Sequence, residues 1–127
     1  MNTVLVGAGY WGKNFIRIMK GSDNVFNLKY IVDTKEELPE YTCYKSISEI
    51  GKDIEEIECA VICTPTQTHS EIVKFFLENK IHVLVEKPLT TSKKEAEMLF
   101  DVAKNNNATL LTDHTFLYNS STPPVVS

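Results

Sequence analysis

Three glycines stand in the spacing Gly-x-Gly-x-x-Gly, at Gly7, Gly9 and Gly12, directly after the apolar run Val4-Leu5-Val6. That pattern suits the capture of a pyrophosphate. Gly7 makes a tight turn, Gly9 lets the backbone approach the phosphates with no Cβ in the way, and Gly12 lets a following helix pack closely on its strand. The phosphates then sit on the free N–H groups of the helix start. Tyr10 and Trp11 fall between the second and third glycines and belong to the same cofactor loop. Alone, such a loop can be a strand-to-helix turn without a ligand. Here a second apolar run, Leu28-Lys29-Tyr30-Ile31-Val32, ends in Asp33. This acid follows Gly12 at close to the roughly 20 positions at which a carboxylate accepts from an adenosine ribose 2'-hydroxyl. A carboxylate there repels a 2'-phosphate, so NAD is expected over NADP, with Lys35 nearby keeping NADP as the lesser alternative.

Two further stretches carry groups that could act on a ligand. In Thr64-Pro65-Thr66-Gln67-Thr68-His69-Ser70-Glu71, Pro65 ends a strand, and Thr68 to Glu71 fits a T-x-x-E capping box, so a helix is expected to start near His69. On residue type alone His69 reads as a surface or capping histidine. In Glu86-Lys87-Pro88 the lysine lies between a buried strand and a proline, which holds it at the strand end rather than on a helix face. Glu86 either supports Lys87 or is plain solvated polar surface. His82, at the other end of that strand, reads as structural.

The elements that must position these groups alternate. Trp11, Phe15, Ile18 and Met19 recur at helical spacing before a stop at Lys20-Gly21-Ser22, giving a crossover helix. Residues 28–33 are apolar on both faces, as a central parallel strand should be. Residues 41–44 read as a short edge strand, 46–50 as one or two helical turns, and 57–63 as the fourth strand, beside the first. A helix with Ile72, Val73, Phe76 and Leu77 on its apolar face leads to a fifth strand at 81–85. A second capping box at Ser92-Lys93-Lys94-Glu95 opens a helix that buries Ala96, Leu99 and Ala103, and 108–112 is the sixth strand. This is an α/β chain forming a doubly wound parallel sheet of right-handed βαβ units in the order 3-2-1-4-5-6. The domain is expected over 1–118, and 119–127, with adjacent Pro123 and Pro124, as a flexible tail.

Composition narrows the partners. The chain has 127 residues, 43% hydrophobic and 24% charged, which fits one globular domain. A net charge of -4, with no Lys/Arg cluster longer than a pair, gives no electrostatic footprint for nucleic acid or an anionic membrane. No apolar run approaches the roughly 18 residues of a membrane span, and no basic leader precedes the first strand, so the chain reads as cytoplasmic. The three cysteines do not describe a disulfide framework. Cys59 and Cys63, on one strand, are separated by about 13 Å of rise, too far for a bridge. The three histidines lack metal-site spacing, and no metal is expected.

Residues 7–12, Asp33, 64–69 and Glu86-Lys87-Pro88 all fall at the carboxyl ends of strands, around one crevice. That combination resembles the cofactor domain of the glucose-fructose oxidoreductase and inositol dehydrogenase (Gfo/Idh/MocA) family, over residues 2 to about 119. The resemblance implies a Rossmann fold that binds NAD through the glycine motif and Asp33. It implies that Thr64, Pro65, Thr66 and His69 line the nicotinamide side, and that Glu86 and Lys87 lie near the transferred hydride, Lys87 as the catalytic group. It also implies a sugar, polyol or nucleotide-linked sugar as substrate, the last because residues 113–119 look like the segment that leads to the second domain in relatives acting on such sugars. The second family domain, which supplies the substrate pocket and an acid/base group, has no counterpart in these residues. A separate second-domain partner or a homodimer is therefore expected. The alternative is a stand-alone or vestigial nucleotide-binding module without catalysis.

Overall fold

Side chains alternate in direction along a strand, so a sheet covered on both sides needs apolar residues at every position of its central strands. The first strand, Asn2–Val6 (β1), meets that requirement. Val4 and Val6 enter one apolar cluster and Leu5 the other. The same division recurs in Asn27–Val32 (β2), Cys59–Ile62 (β4) and His82–Val85 (β5). Tyr30, Val32, Ala60, Ile62, Val83 and Val85 pack on the first side; Ile31, Val61 and Leu84 pack on the second. The computed structural model describes residues 1–7, 13, 16, 17, 27–35, 38–86 and 88–112.

Two short strands, Thr42–Tyr44 (β3) and Leu110–Leu111 (β6), close the edges, and the six strands run in the order β3-β2-β1-β4-β5-β6, every pair parallel. This is the doubly wound order that the alternation of patterns implied. The larger cluster is covered by two helices, His69–Glu78 (α1) and Lys93–Asn105 (α2). Val73, Phe76 and Leu77 from α1 and Leu99 from α2 are wholly removed from water. Of the expected crossover helix, Lys13, Ile16 and Arg17 are described, and Ile16 is buried in the smaller cluster with Leu5 and Ile31. The rest of that helix and the tail at 119–127 lie outside the described residues.

The two capping boxes differ. Ser92 is extended and accepts from the Glu95 amide at 3.3 Å, as read from the sequence. Thr68 does not cap α1. It has helical dihedrals and closes a 3-10 turn, Thr66–Thr68, that runs straight into the helix. Its hydroxyl points back to the Pro65 carbonyl at 2.6 Å and the Thr64 hydroxyl at 2.7 Å. The turn placed at 46–50 is also 3-10, at Ile47–Glu49, and continues as Gly51–Glu56. Two phenols hold this segment against the sheet. Tyr30 donates to Glu56 at 2.6 Å and Tyr44 donates to Asp53, with the rings 6.1 Å apart. Among the described residues no helix is long and apolar enough to cross a membrane, and no group of three His, Cys, Asp or Glu residues is placed to hold a metal ion.

Candidate functional site

The strand register builds the site. Val6 pairs with Val32 on one side and Ile62 on the other, Ile62 pairs with Val85, and Val32 pairs with Tyr44. All five strands therefore end level. The next residue of each, Lys45, Asp33, Gly7, Cys63 and Glu86, stands in a row along the carboxyl edge. Backbone bonds fix the row: Asp33 N–H to Tyr44 C=O at 2.9 Å, Gly7 to Val32 at 2.8 Å, Cys63 to Val6 at 2.8 Å, and Glu86 to Ile62 at 3.3 Å. With strands about 4.8 Å apart, Asp33 and Glu86 are separated by roughly 14 Å, with Gly7 between them.

A crevice of about 670 Å³ opens over this row, within the usual range for small-molecule sites. Its wall includes Gly7, Asp33, Thr34, Lys35, Cys63, Thr64 and Pro65. Strand order reverses at β1, where β2 and β4 leave in opposite directions, and such a switch point is where ligands of open parallel sheets bind. Asp33 is half-buried, and its Oδ1 accepts from the Lys35 amide at 2.8 Å, a local turn that fixes the carboxylate at the strand end.

Gly7 has a φ of +91°, and a Cβ there would stand 2.8 Å from the Cys63 carbonyl oxygen and 3.1 Å from the Thr64 methyl. A side chain has neither the dihedral nor the room. Cys63 is half-buried, and burial first, then the neighbouring charge of Glu86, pushes its thiol well above the ordinary range. That shift disfavours the thiolate that nucleophilic chemistry uses. In β4, burial pushes Cys59 up to about 12. All three cysteines are free.

His69 stands apart from the other expected site residues. It is 1% exposed and does not line the crevice. Its Nε2 lies 2.8 Å from the Thr64 carbonyl, and its Nδ1 lies 3.1 Å from the Pro88 carbonyl and 3.0 Å from that of Leu89. The ring thus faces carbonyls of two loops, those after β4 and β5. The sequence held a signal for this, since His69, Val73, Phe76 and Leu77 share one helical stripe. Thr66 and Glu86 are half-buried and are not among the wall residues of the crevice. Gly9, Tyr10, Trp11, Gly12 and Lys87 lie outside the described residues.

Several wall residues had no part in the sequence reading of the site: Lys45, Ser46, Ile47, Glu71 and Ile72. The first three follow β3, and placing that strand beside β2 puts its carboxyl end over the same crevice as Asp33. Ile72 was read as core and is half-buried at the wall.

The model of an oxidoreductase family with an NAD-binding Rossmann fold matches residues 1–114. Among curated proteins the chain is 28% identical over 127 residues to 4-carboxy-2-hydroxymuconate-6-semialdehyde dehydrogenase of Sphingobium sp., covering 95% of this chain and 40% of that one. It is 31% identical over 115 residues to human biliverdin reductase A, covering 87% and 38%. A crystal structure of a putative oxidoreductase from Bacteroides fragilis superposes with a TM-score of 0.82 at 28% identity, over 95% of this chain and 37% of that one. The chain thus spans well under half the length of these relatives.

Proposed function

Since the chain belongs to the Gfo/Idh/MocA oxidoreductase family, we propose that it is the NAD(H)-binding part of an oxidoreductase that moves hydride between nicotinamide and a carbon of a small molecule. The observation that carries this is the row of level strand ends, which sets Asp33 and the turn at Gly7 side by side over one crevice. The two relatives named above differ in the compounds they are named for, yet both align with this part of the chain. What they share with this chain is the stretch that the NAD-binding family model matches.

In this reading Asp33 accepts from the adenosine ribose, the loop at 7–12 holds the pyrophosphate, and Thr64, Pro65, Thr66 and Glu86 border the nicotinamide side. Bound nicotinamide supplies the hydride donor or acceptor. Lys87, following Glu86, is the group assigned to orient the reacting hydroxyl or carbonyl. The substrate class is a sugar, polyol or nucleotide-linked sugar, supported by residues 113–119, which look like the corresponding segment of relatives acting on nucleotide-linked sugars. Asp33 favours NAD over NADP by repelling a 2'-phosphate.

Proton transfer to or from the reacting oxygen is typically worth about 10² to 10⁴ in rate, and it needs a second acid/base group and a closed pocket. The 127 residues alone therefore bind cofactor and do not turn over a sugar. The site is completed by a second domain, on a longer chain or a separate one. Calorimetric titration of NAD(H) and NADP(H) tests the proposal: tighter NAD(H) binding is the expected result, and equal affinity for both, or binding of neither, refutes it. Turnover of a sugar or inositol by these residues alone, lost in Lys87→Ala, would overturn the assignment of catalysis to the completed site.

A further inference from the structure

His69 is the one fully buried histidine among the described residues, and it spans two loops that the sheet itself does not join. At the end of β4 it holds the carbonyl of Thr64, a crevice-wall residue. At the end of β5 it holds the carbonyls of Pro88 and Leu89, the residues directly after Lys87. All three partners are carbonyl oxygens, which only accept, so the ring nitrogen that carries the hydrogen donates to the loop it faces, and a neutral ring, with one N–H, donates to one loop while its other edge packs against the second. A leucine of similar size could fill the space on the α1 stripe, but it would leave these carbonyls without the ring.

We propose that His69 is a positioning residue: it ties the loop of Thr64 to the segment that carries Lys87, and so sets the nicotinamide half of the cofactor site without touching the cofactor. The proposal rests on the reading of the crevice as an NAD(H) site. The geometry assigns the tie to one half only. Asp33, Lys45, Ser46 and Ile47 follow β2 and β3, on the far side of β1 from β4 and β5, and none of them bonds to His69. Since Asp33 marks the adenosine side and the turn at Gly7 the pyrophosphate, the β4–β5 side receives the other nucleotide.

The test is a split in affinity. His69→Gln keeps a polar side chain but cannot reach both loops from one ring. It should weaken NADH about tenfold, the size of one lost buried hydrogen bond, while ADP-ribose, which carries everything but the nicotinamide, binds unchanged. Unchanged ADP-ribose binding also shows that the variant is folded. Equal weakening of both ligands means a general loss of structure and overturns the proposal, as does no weakening of either. Hydrogen exchange without any ligand separates this inference from the functional reading. Amides of Thr64, Thr66, Leu89, Thr90 and Thr91 in His69→Gln should exchange faster together while those of β1 and β2 stay protected; uniform change, or none, overturns the tie even where NADH binds. If wild type binds neither ligand, the functional reading fails, and the exchange result still decides the tie. A wild-type measurement needs no variant. At least one His69 ring N–H should give a slowly exchanging signal, and free exchange of both ring nitrogens would overturn the tie.

Discussion

Replacement of Gly7 by alanine separates two costs that a glycine motif usually merges. The first is conformational: a φ of +91° is open to glycine, and forcing an L-residue there costs roughly 1 to 3 kcal/mol. The second is steric. The new Cβ would meet the Cys63 carbonyl oxygen at 2.8 Å and its carbon at 3.0 Å, and these are backbone atoms of the loop after β4 that cannot swing aside. Overpacking of that kind adds about 1 to 3 kcal/mol, giving a total of about 2 to 6 kcal/mol. Domains of this class hold about 5 to 15 kcal/mol in all, so the variant loses a large part of its stability. Gly51→Ala is the internal control. It has a φ of +57° with nothing within 4 Å of the added Cβ, so it carries a conformational cost alone, near 1 kcal/mol. Urea unfolding of the two variants measures the difference, and with an m-value of about 2 kcal/mol/M the midpoint of Gly7→Ala should fall by about 1 M or more. A Gly7→Ala loss no larger than that of Gly51→Ala would refute the claim that the Cys63 carbonyl closes this turn.

Three other outcomes are expected. Asp33→Ser removes the carboxylate that opposes a 2'-phosphate while leaving Lys35 and Lys45 in the wall, so NADP affinity should rise relative to NAD; an unchanged ratio in paired titrations would show that Asp33 does not select the cofactor. Ser92→Ala deletes the hydroxyl that caps α2 and should cost about 1 kcal/mol in urea unfolding, whereas no cost would mean that the 3.3 Å contact does not cap the helix in solution. The tyrosine pair gives an alkaline signature. Tyr30 is pushed up to about 12 by its bond to Glu56 and then by burial, and Tyr44 to about 12 by burial and then its bond to Asp53. Folding holds both phenols neutral, so their stabilisation is complete below pH 10, the ordinary phenol value, and is lost as pH rises towards 12. Stability followed over that window should fall steeply in wild type and less so in Tyr30→Phe/Tyr44→Phe; parallel slopes would dismiss the pair as the cause.

The sheet order was legible because each strand and helix carries its own period, and because Asp33 and Gly7 are fixed by covalent proximity to strand ends. Ser92 was legible for the same local reason. Thr68 was not, since the capping pattern T-x-x-E says nothing of the 3-10 turn that Pro65 starts and that draws the threonine hydroxyl back to residues 64 and 65. Lys45, Ser46 and Ile47 escaped because they reach the crevice only through the pairing of Tyr44 with Val32, a tertiary fact carried by a three-residue strand. His69 shows a third kind of limit. Its place on the buried stripe of α1 is readable, but the Pro88 and Leu89 carbonyls that occupy its ring come from a loop some twenty positions away and leave no mark on the local pattern.

The central position of β1 also sets a schedule. Of the six strands β1 is synthesised first, yet one of its two neighbours, β4, follows about 55 residues later, and the Val6 to Ile62 pairing cannot form before then. At roughly 5 to 20 residues per second, the ribosome leaves that edge unmatched for about 3 to 11 s. Throughout this interval Val4, Leu5 and Val6, which end with no more than 3% of their surface in water, have no partner on that side, while β2 can dock on the other. The same arrangement that gathers four strand ends around one crevice thus makes the nascent chain wait with its central strand half-paired, and conditions that slow translation between residues 33 and 59 lengthen that wait in proportion.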